Sequence, residues 1–397
     1  MRNFLTRYTS QVIYFVIATV LMGVYSGMYE PSFNNYLAQV HNLDAVARGA
    51  LELPRELPGF LVVFVFAVLA FMADTRIAAI SALLVGISLW GQGFLAPNFF
   101  LVIIWMVVWS TGGHLFMALT PGIGLRMAPE GQEGRWLGRL SALESVGSLV
   151  GLALVYLLTR VFDLGFTAIF AAAGCCAAIA ALCLLRINAQ TVNRPRRLIY
   201  RRQYNLYYLL NIIFGARKQV FLTFAPWVLI TMFSCSVADF ALLIFIATVL
   251  GLVFRPWLGK AIDNWGERTV IAGESFLLIG ICLLYGFSPG LLPYQSARLL
   301  VMACFISDQV LFAVRIARTT FLNRIALDAS EIPSTISMGL TLDHAVSMSI
   351  PLLGGLLWKA YGFQWVFVVA ALLAVINLGV ALLIPRHSPA ISTTNPG

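Results

Sequence analysis

Charged residues are scarce in this sequence. They make up 11% of the 397 residues, whereas hydrophobic residues make up 60%. Soluble domains contain about 45–50% apolar residues, so a soluble fold of this length could not bury so much apolar surface. The sequence also lacks any stretch polar and long enough to form a separate soluble domain. These two absences exclude a soluble protein and indicate a membrane protein.

Motifs for several other activities are absent too. All six cysteines lie inside apolar runs without metal-ligand spacing, so we expect neither disulfides nor a metal site. No G-x-x-x-x-G-K-[ST] loop is present, which argues against direct use of ATP. There is no Ser/His/Asp motif, cofactor motif or sensor domain, so we expect no enzyme, no cofactor and no receptor. The net charge of +9 does not indicate nucleic-acid binding, because the basic residues lie at helix ends.

Long apolar runs fill the sequence from Val12 to Ile384. About 20 apolar residues span the hydrocarbon core of a bilayer. We interpret the first run as a retained helix, because no clear cleavage site follows it. The runs predict twelve transmembrane spans, at residues 11–37, 50–72, 76–96, 99–126, 137–159, 165–186, 217–236, 239–259, 269–288, 295–323, 333–358 and 363–385.

The basic residues predict the orientation of these spans. Cytoplasmic loops of membrane proteins are enriched in Lys and Arg. With the N-terminus in the cytoplasm, all but five of the 26 Lys and Arg residues fall on the inner side. The five on the outer side are Arg48, Arg55, Arg160, Arg298 and Lys359. We therefore expect an integral plasma-membrane protein, such as one of a bacterial inner membrane, with both termini in the cytoplasm.

The chain is predicted to consist of two halves. Residues 1–187 and 217–397 each contain six spans, and the basic segment 188–216 between them is expected to be a cytoplasmic linker near lipid headgroups. Short matches recur between the halves at a nearly constant separation along the chain. They pair Asp74 with Asp263 and Glu144 with Asp343. Two parallel six-helix halves, with a substrate site between them near the midplane, are a known transporter architecture.

One loop resembles a family signature. Residues 259–268 read G-K-A-I-D-N-W-G-E-R, which resembles the G-x-x-x-D-x-x-G-x-R loop of the major facilitator superfamily. We expect Gly259 to permit close helix approach and Gly266 a tight turn. Asp263 is expected to cap a helix or to pair with Arg268. The copy after the second span is degenerate: it lacks both glycines but keeps an acid and a base, Asp74 and Arg76.

The resemblance implies a fold and a mechanism. It implies an all-α polytopic membrane protein with two pseudo-symmetric six-helix bundles, in which the signature loops latch the halves on the cytoplasmic face. It implies secondary transport by alternating access, for which a monomer is sufficient. Many family members carry an arginine early in the fourth span, and drug antiporters usually carry a glycine- and proline-rich fifth span; this sequence has neither.

Ionisable residues inside the spans are the candidates for substrate binding or coupling, because each costs roughly 2.5–3.5 kcal/mol at the bilayer centre. Arg315 is expected to bind an anionic group or to serve as a topology charge. Asp343 and His344 are expected to share a proton or to fix packing. Arg55 is expected to pair with two flanking glutamates at an outer gate. The full set is Glu30, Arg55, His114, Glu144, Asp308, Arg315, Asp343 and His344.

The sequence therefore predicts a secondary transporter embedded in the lipid bilayer. We expect proton coupling, because several buried acids and two histidines within the spans can titrate. Arg315 and Arg55 favour a small organic solute with an anionic group. The alternative is proton-driven efflux of drug-like or cationic compounds, which the aromatic content permits.

Overall fold

The computed structural model describes residues 2–69, 71–130, 132–188, 200–328 and 331–386. These residues contain helices and no β-strand. The α-helices are α1 Arg2–Gln39, α2 Ala45–Ala50, α3 Glu52–Phe60, α4 Val62–Val68, α5 Asp74–Phe94, α6 Phe99–Arg126, α7 Glu133–Arg160, α8 Phe166–Leu185, α9 Asn205–Phe233, α10 Val237–Leu291, α11 Tyr294–Leu311, α12 Arg315–Ile325, α13 Ile332–Tyr361 and α14 Phe363–Ala381.

The prediction of an all-α polytopic membrane protein is confirmed. Among the described residues, nine helices are long and apolar enough to cross a membrane. One of them, α10, is 55 residues long and contains two of the predicted spans, on either side of a kink at Gly266. Gly266 has a φ of 76°, which glycine adopts at little cost, so the predicted turn is confirmed. The count of twelve spans stays a prediction.

Several predicted spans differ from the observed helices, the second and the seventh among them. The second, residues 50–72, contains the last residue of α2 followed by α3 and α4, with breaks at Leu51 and Leu61. Its two prolines, Pro54 and Pro58, cannot donate backbone hydrogen bonds, which weakens a continuous helix there. The seventh begins at Asn205 instead of residue 217. The last part of the predicted linker is therefore helical, and Arg217 and Lys218 lie in the middle of α9.

The helices pack into two compact units. The first contains Met1–Arg196, Gln219–Thr248 and His344–Phe363, and the second contains Arg197–Lys218, Val249–Asp343 and Gln364–Gly397. Boundaries between these units fall within α9, α10 and α13 and after the first residue of α14. The division at a linker of residues 188–216 stays a prediction, and the linker's Arg194, Arg196 and Arg197 lie outside the described residues.

Close contact between α1 and α7 fixes the first unit. A Cβ atom added to Gly23 would collide with the backbone carbonyl oxygen of Glu144, and one added to Gly147 would collide with that of Val20. Small residues let two membrane helices approach until their backbones touch, which strengthens van der Waals packing where no hydrophobic force acts between helices. This contact also fixes the position of Glu144 on α7.

We expect Gly147→Leu to lower the free energy of unfolding by about 1–3 kcal/mol, because the side chain must push α1 away from α7. Thermal unfolding of the purified protein measures the effect. Gly138→Leu on the same helix is the matched control, since a Cβ atom there meets no atom within 4 Å. Equal melting temperatures for the two variants would contradict the close contact.

Candidate functional site

Glu52 is the acid around which the first polar cluster is built. Its buried carboxylate accepts hydrogen bonds from Nη1 of Arg48 at 2.5 Å, Nε of Arg55 at 2.6 Å and Nε2 of Gln219 at 2.5 Å. Nη2 of Arg55 also lies 3.1 Å from Oε1 of Glu56. The predicted ion pairs of Arg55 with its two flanking glutamates are thus confirmed. We call these five residues the Glu52 cluster.

Glu56 also contacts a histidine. Its Oε2 lies 2.8 Å from Nδ1 of His344, and the ring of His344 lies 5.0 Å from the ring of His114. Nδ1 of His114 is 2.9 Å from the carbonyl oxygen of Ser110. Because a carbonyl oxygen can only accept, this Nδ1 carries the hydrogen, and Nε2 of the neutral ring keeps its lone pair. Glu56, His114 and His344 form the Glu56 triad, contributed by α3, α6 and α13.

Asp343 and His344 are expected to share a proton or to fix packing, and the structure gives the two side chains different partners on other helices. Oδ2 of Asp343 lies 2.6 Å from Nζ of Lys218, whereas His344 faces Glu56. Successive side chains on an α-helix point about 100° apart, so neighbours in sequence face different elements.

A second set of buried charges lies in the second unit. It consists of three ion pairs, so its acids and bases balance. The guanidinium carbon of Arg318 also lies 4.4 Å from the centre of the Phe214 ring, within range of a cation–π contact. We call this set the Asp308 network: Arg217 with Asp308, Lys218 with Asp343 at 2.6 Å, and Arg318 with Glu274 at 3.1 Å.

The first unit also contains a cavity of about 510 Å³ between α1, α6 and α7. Its lining combines Glu144, five hydroxyl groups, two methionines and an aromatic ring, and none of its lining residues is a lysine or an arginine. Such a surface offers hydrogen bonds and negative charge but no cation. The hydroxyl groups belong to Thr19, Tyr25, Ser26, Thr120 and Ser141.

Arg315, the residue expected to bind an anion, is exposed on α12. Its guanidinium carbon lies 5.6 Å from the centre of the Phe312 ring. A regular helix would place Arg315 on one face with Asp308, seven residues earlier, but a 3₁₀ turn over Phe312–Val314 separates α11 from α12 and changes the register. Arg318 is the buried arginine of this segment instead.

Glu30 and Glu144 differ from the paired acids in their exposure. Glu30 is exposed on α1, and Glu144 is exposed at the surface of the 510 Å³ cavity. The two acids of the Asp308 network that the sequence singled out, Asp308 and Asp343, are buried and paired.

The signature loop forms different contacts from those expected. Asp263 is exposed, and the acid that forms an ion pair is Glu267, 3.2 Å from Arg324. Nη1 of Arg268 lies 3.5 Å from the carbonyl oxygen of Ile384 at the end of α14. A Cβ atom at Gly259 would meet no described atom within 4 Å, so the close helix approach expected there is absent from the described part of the chain.

The degenerate copy forms the same pattern in the first unit. Asp74 pairs with Arg126 at 3.0 Å, and Arg76 donates to the carbonyl oxygen of Leu185 at 2.6 Å. In each unit, an acid thus binds an arginine at the end of one helix, and a nearby arginine binds the carbonyl end of another helix. In its contacts, Asp74 is therefore equivalent to Glu267, and the match of Asp74 with Asp263 along the chain stays a prediction.

The predicted site lacks three residues that the structure places in buried ion pairs. The predicted seventh span begins only at residue 217, which puts Arg217 and Lys218 at a helix end, whereas both lie mid-helix in ion pairs. Glu52 is expected only as a partner of Arg55, whereas it also binds Arg48 and Gln219. The apolar run from Leu206 to Phe214 was the signal that could have extended α9 towards its true start.

The folds of solved transporters agree with this architecture. The nucleoside transporter NupG is 14% identical with a TM-score of 0.74, and the alignment covers 95% of this chain and 100% of that one. A D-xylose–proton symporter is 15% identical with a TM-score of 0.70, covering 95% and 98%. A bacterial homologue of the human lysosomal transporter Spinster is also 15% identical, with a TM-score of 0.67, covering 98% and 99%.

Paired charges inside membrane-spanning helices are often part of substrate or ion pathways. The sequence matches the description Major Facilitator Superfamily over residues 57–341, and the chain belongs to that family. The protein is thus a secondary transporter and not an enzyme. No curated protein matches the sequence.

We expect Arg318→Met to destabilise the protein by about 3–5 kcal/mol, because it leaves Glu274 buried without its cation. The double variant Arg318→Met/Glu274→Leu should recover most of the loss. Arg315→Met, on the exposed side of the same helix, is the control and should change stability by less than about 0.5 kcal/mol. Thermal unfolding in detergent compares the variants. An equal effect at Arg315 and Arg318 would contradict the assigned pairing.

Proposed function

We propose that this protein is a proton-coupled transporter of a small polar organic solute. The observation that carries the proposal is the ion pair between Lys218 and Asp343, 2.6 Å apart and largely buried between α9 and α13. A carboxylate inside a membrane normally serves a proton or ion pathway or a ligand. Protonation of Asp343 would neutralise the acid and release the Lys218 ammonium, so one proton changes the local charge.

The neighbouring ion pair, Arg217 with Asp308, takes part in the same proposed mechanism. Asp308 is 4% exposed and pairs with Arg217, the residue before Lys218 on α9. Arginine stays protonated under all physiological conditions, so this pair offers a fixed charge beside a lysine–aspartate pair that can change state. A proton on Asp343 then changes the net charge of the residues that surround Arg217 and Lys218 on α9. We infer that this change biases the alternating-access equilibrium of the transporter.

The cavity of about 510 Å³ in the first unit is the proposed solute site. Its hydroxyl groups suit a solute that carries several hydrogen-bonding groups. Structural neighbours described as a nucleoside transporter and a D-xylose–proton symporter handle solutes of that kind, which supports the same class here. The expected anionic group finds no cation in this lining, and Arg55 already binds Glu52 and Glu56. We therefore favour an uncharged solute.

A cationic compound is the second candidate, and Glu144 favours it. This acid is exposed at the cavity surface, beside Phe116 and two methionines that suit a lipophilic cation. Transport of such a compound against its gradient would be efflux. The positive-inside distribution supports a plasma membrane with both termini in the cytoplasm, and we propose that a monomer is sufficient.

The solute class can be tested by thermal stabilisation, because a ligand that binds the folded state raises the melting temperature. We expect nucleosides or sugars to stabilise the wild-type protein more than organic acids do. Stabilisation by lipophilic cations that is lost in Glu144→Gln but kept in Glu133→Gln, an acid at the start of α7, would move the assignment to efflux. Stabilisation by organic acids alone would overturn both candidates.

The coupling can be tested in proteoliposomes with the solute found in that screen. We expect a pH gradient to drive accumulation and a protonophore to abolish it. Asp343→Asn should lose gradient-driven accumulation but retain exchange of labelled for unlabelled solute, since exchange needs no net proton movement. Asp263→Asn, an exposed acid, is the control and should behave as wild type. Accumulation that persists in Asp343→Asn would contradict the role given to Asp343.

A further inference from the structure

The Glu56 triad has the chemistry of a metal site. One ligand atom each from Glu56, His114 and His344 lies within 4.8 Å of the other two. Two imidazoles and a carboxylate form a known zinc ligand set, with further positions left for water or another ligand. The three residues lie far apart in the chain, which is why no metal-ligand spacing marks them in the sequence.

His114, which lies on α6 within the fourth predicted span, is already oriented as a ligand. Because Nδ1 of His114 donates to the carbonyl oxygen of Ser110, its Nε2 presents a lone pair to the triad. Metal-bound histidines typically donate their other ring N–H in this way, which fixes the tautomer and the ring direction. Ser110 supplies this contact through its backbone, one helical turn before His114 on α6.

The second histidine has unused binding capacity. His344 is 5% exposed, its Nδ1 faces Oε2 of Glu56, and its buried Nε2 has no hydrogen-bond partner among the described residues. Either ring nitrogen can therefore take a metal, the first by replacing the hydrogen shared with Glu56. A buried polar atom without a partner costs free energy, so a ligand that satisfies it stabilises the fold.

Gly59 keeps space open next to the two rings. A Cβ atom built on Gly59 would lie 2.6 Å from Nε2 of His114 and 2.8 Å from Cε1 of His344. The absence of a side chain therefore lets both imidazoles approach α3 beside Glu56. The positive charge of Arg55 opposes a cation here, but this guanidinium contacts the other oxygen of Glu56 and shares its charge with Glu52.

We propose that the Glu56 triad binds one transition-metal ion of the Zn²⁺ class, which fastens α3, α6 and α13 to one another. Imidazole and carboxylate ligands suit Zn²⁺, and Co²⁺ can take the same ligands and reports on them optically. The ion replaces the proton that Glu56 and His344 share. It holds together helices that come from both halves of the sequence, so its bound state opposes their separation.

The test is a Co²⁺ titration of the purified full-length protein, carrying an affinity tag without histidine. We expect visible absorption bands that saturate at one equivalent and disappear when Zn²⁺ is added. His114→Ala, His344→Ala and Glu56→Gln should each weaken binding by about tenfold or more. His41→Ala and His387→Ala, which remove the other two histidines of the chain, should bind as wild type.

Two further measurements separate lost ligands from lost structure. His114→Cys should restore binding and add a thiolate-to-cobalt charge-transfer band, which only a ligand at this position can produce. Zn²⁺ should raise the melting temperature of the wild type and of His41→Ala, but not that of His344→Ala.

Saturable binding that is equal in His114→Ala and His41→Ala, or the absence of cobalt bands in the folded wild type, would overturn the proposal. None of these measurements uses a solute or a proton gradient, so their outcome is independent of the proposed transport function.

Discussion

The need to pair every charge that leaves water governs this structure. A lone carboxylate or guanidinium inside an apolar membrane protein is costly, and removing one partner of a buried pair leaves the other uncompensated. Glu52 shows how strict this constraint is, because its fully buried carboxylate takes donors from α2, α3 and α9. The short helix α2, which precedes the predicted second span, supplies Arg48, and α9 supplies Gln219.

The same constraint explains how the two units fasten their helix ends. In each, an arginine binds a carbonyl oxygen near the negative end of a helix dipole, that of Leu185 at the end of α8 or that of Ile384 just after α14. In each, an acid neutralises a second arginine at the end of another helix. The internal repeat is therefore better preserved in side-chain contacts than in amino-acid sequence. The glycines that mark the signature loop are absent from the first copy, yet Asp74–Arg126 and Glu267–Arg324 are equivalent ion pairs.

Local relations were predictable from the sequence, and relations between distant segments were not. Apolar runs gave the membrane class, and the i, i+3 spacing gave the pairing of Arg55 with Glu52, because both depend on residues close in the chain. No pattern in one sequence links Glu56 with His344 or Lys218 with Asp343. The 3₁₀ turn between α11 and α12 was not predictable either, and beyond it Arg318 is buried whereas Arg315 is exposed.

The Asp308 network and the residues that bind α3 are neighbours along two helices. On α9, Lys218 belongs to the Asp308 network and the next residue, Gln219, binds Glu52. On α13, Asp343 belongs to that network and the next residue, His344, binds Glu56. On both helices, the residue of the proposed proton-binding pair is thus the chain neighbour of a residue that binds α3. The peptide backbone itself supplies this link, so no longer pathway of side chains is required.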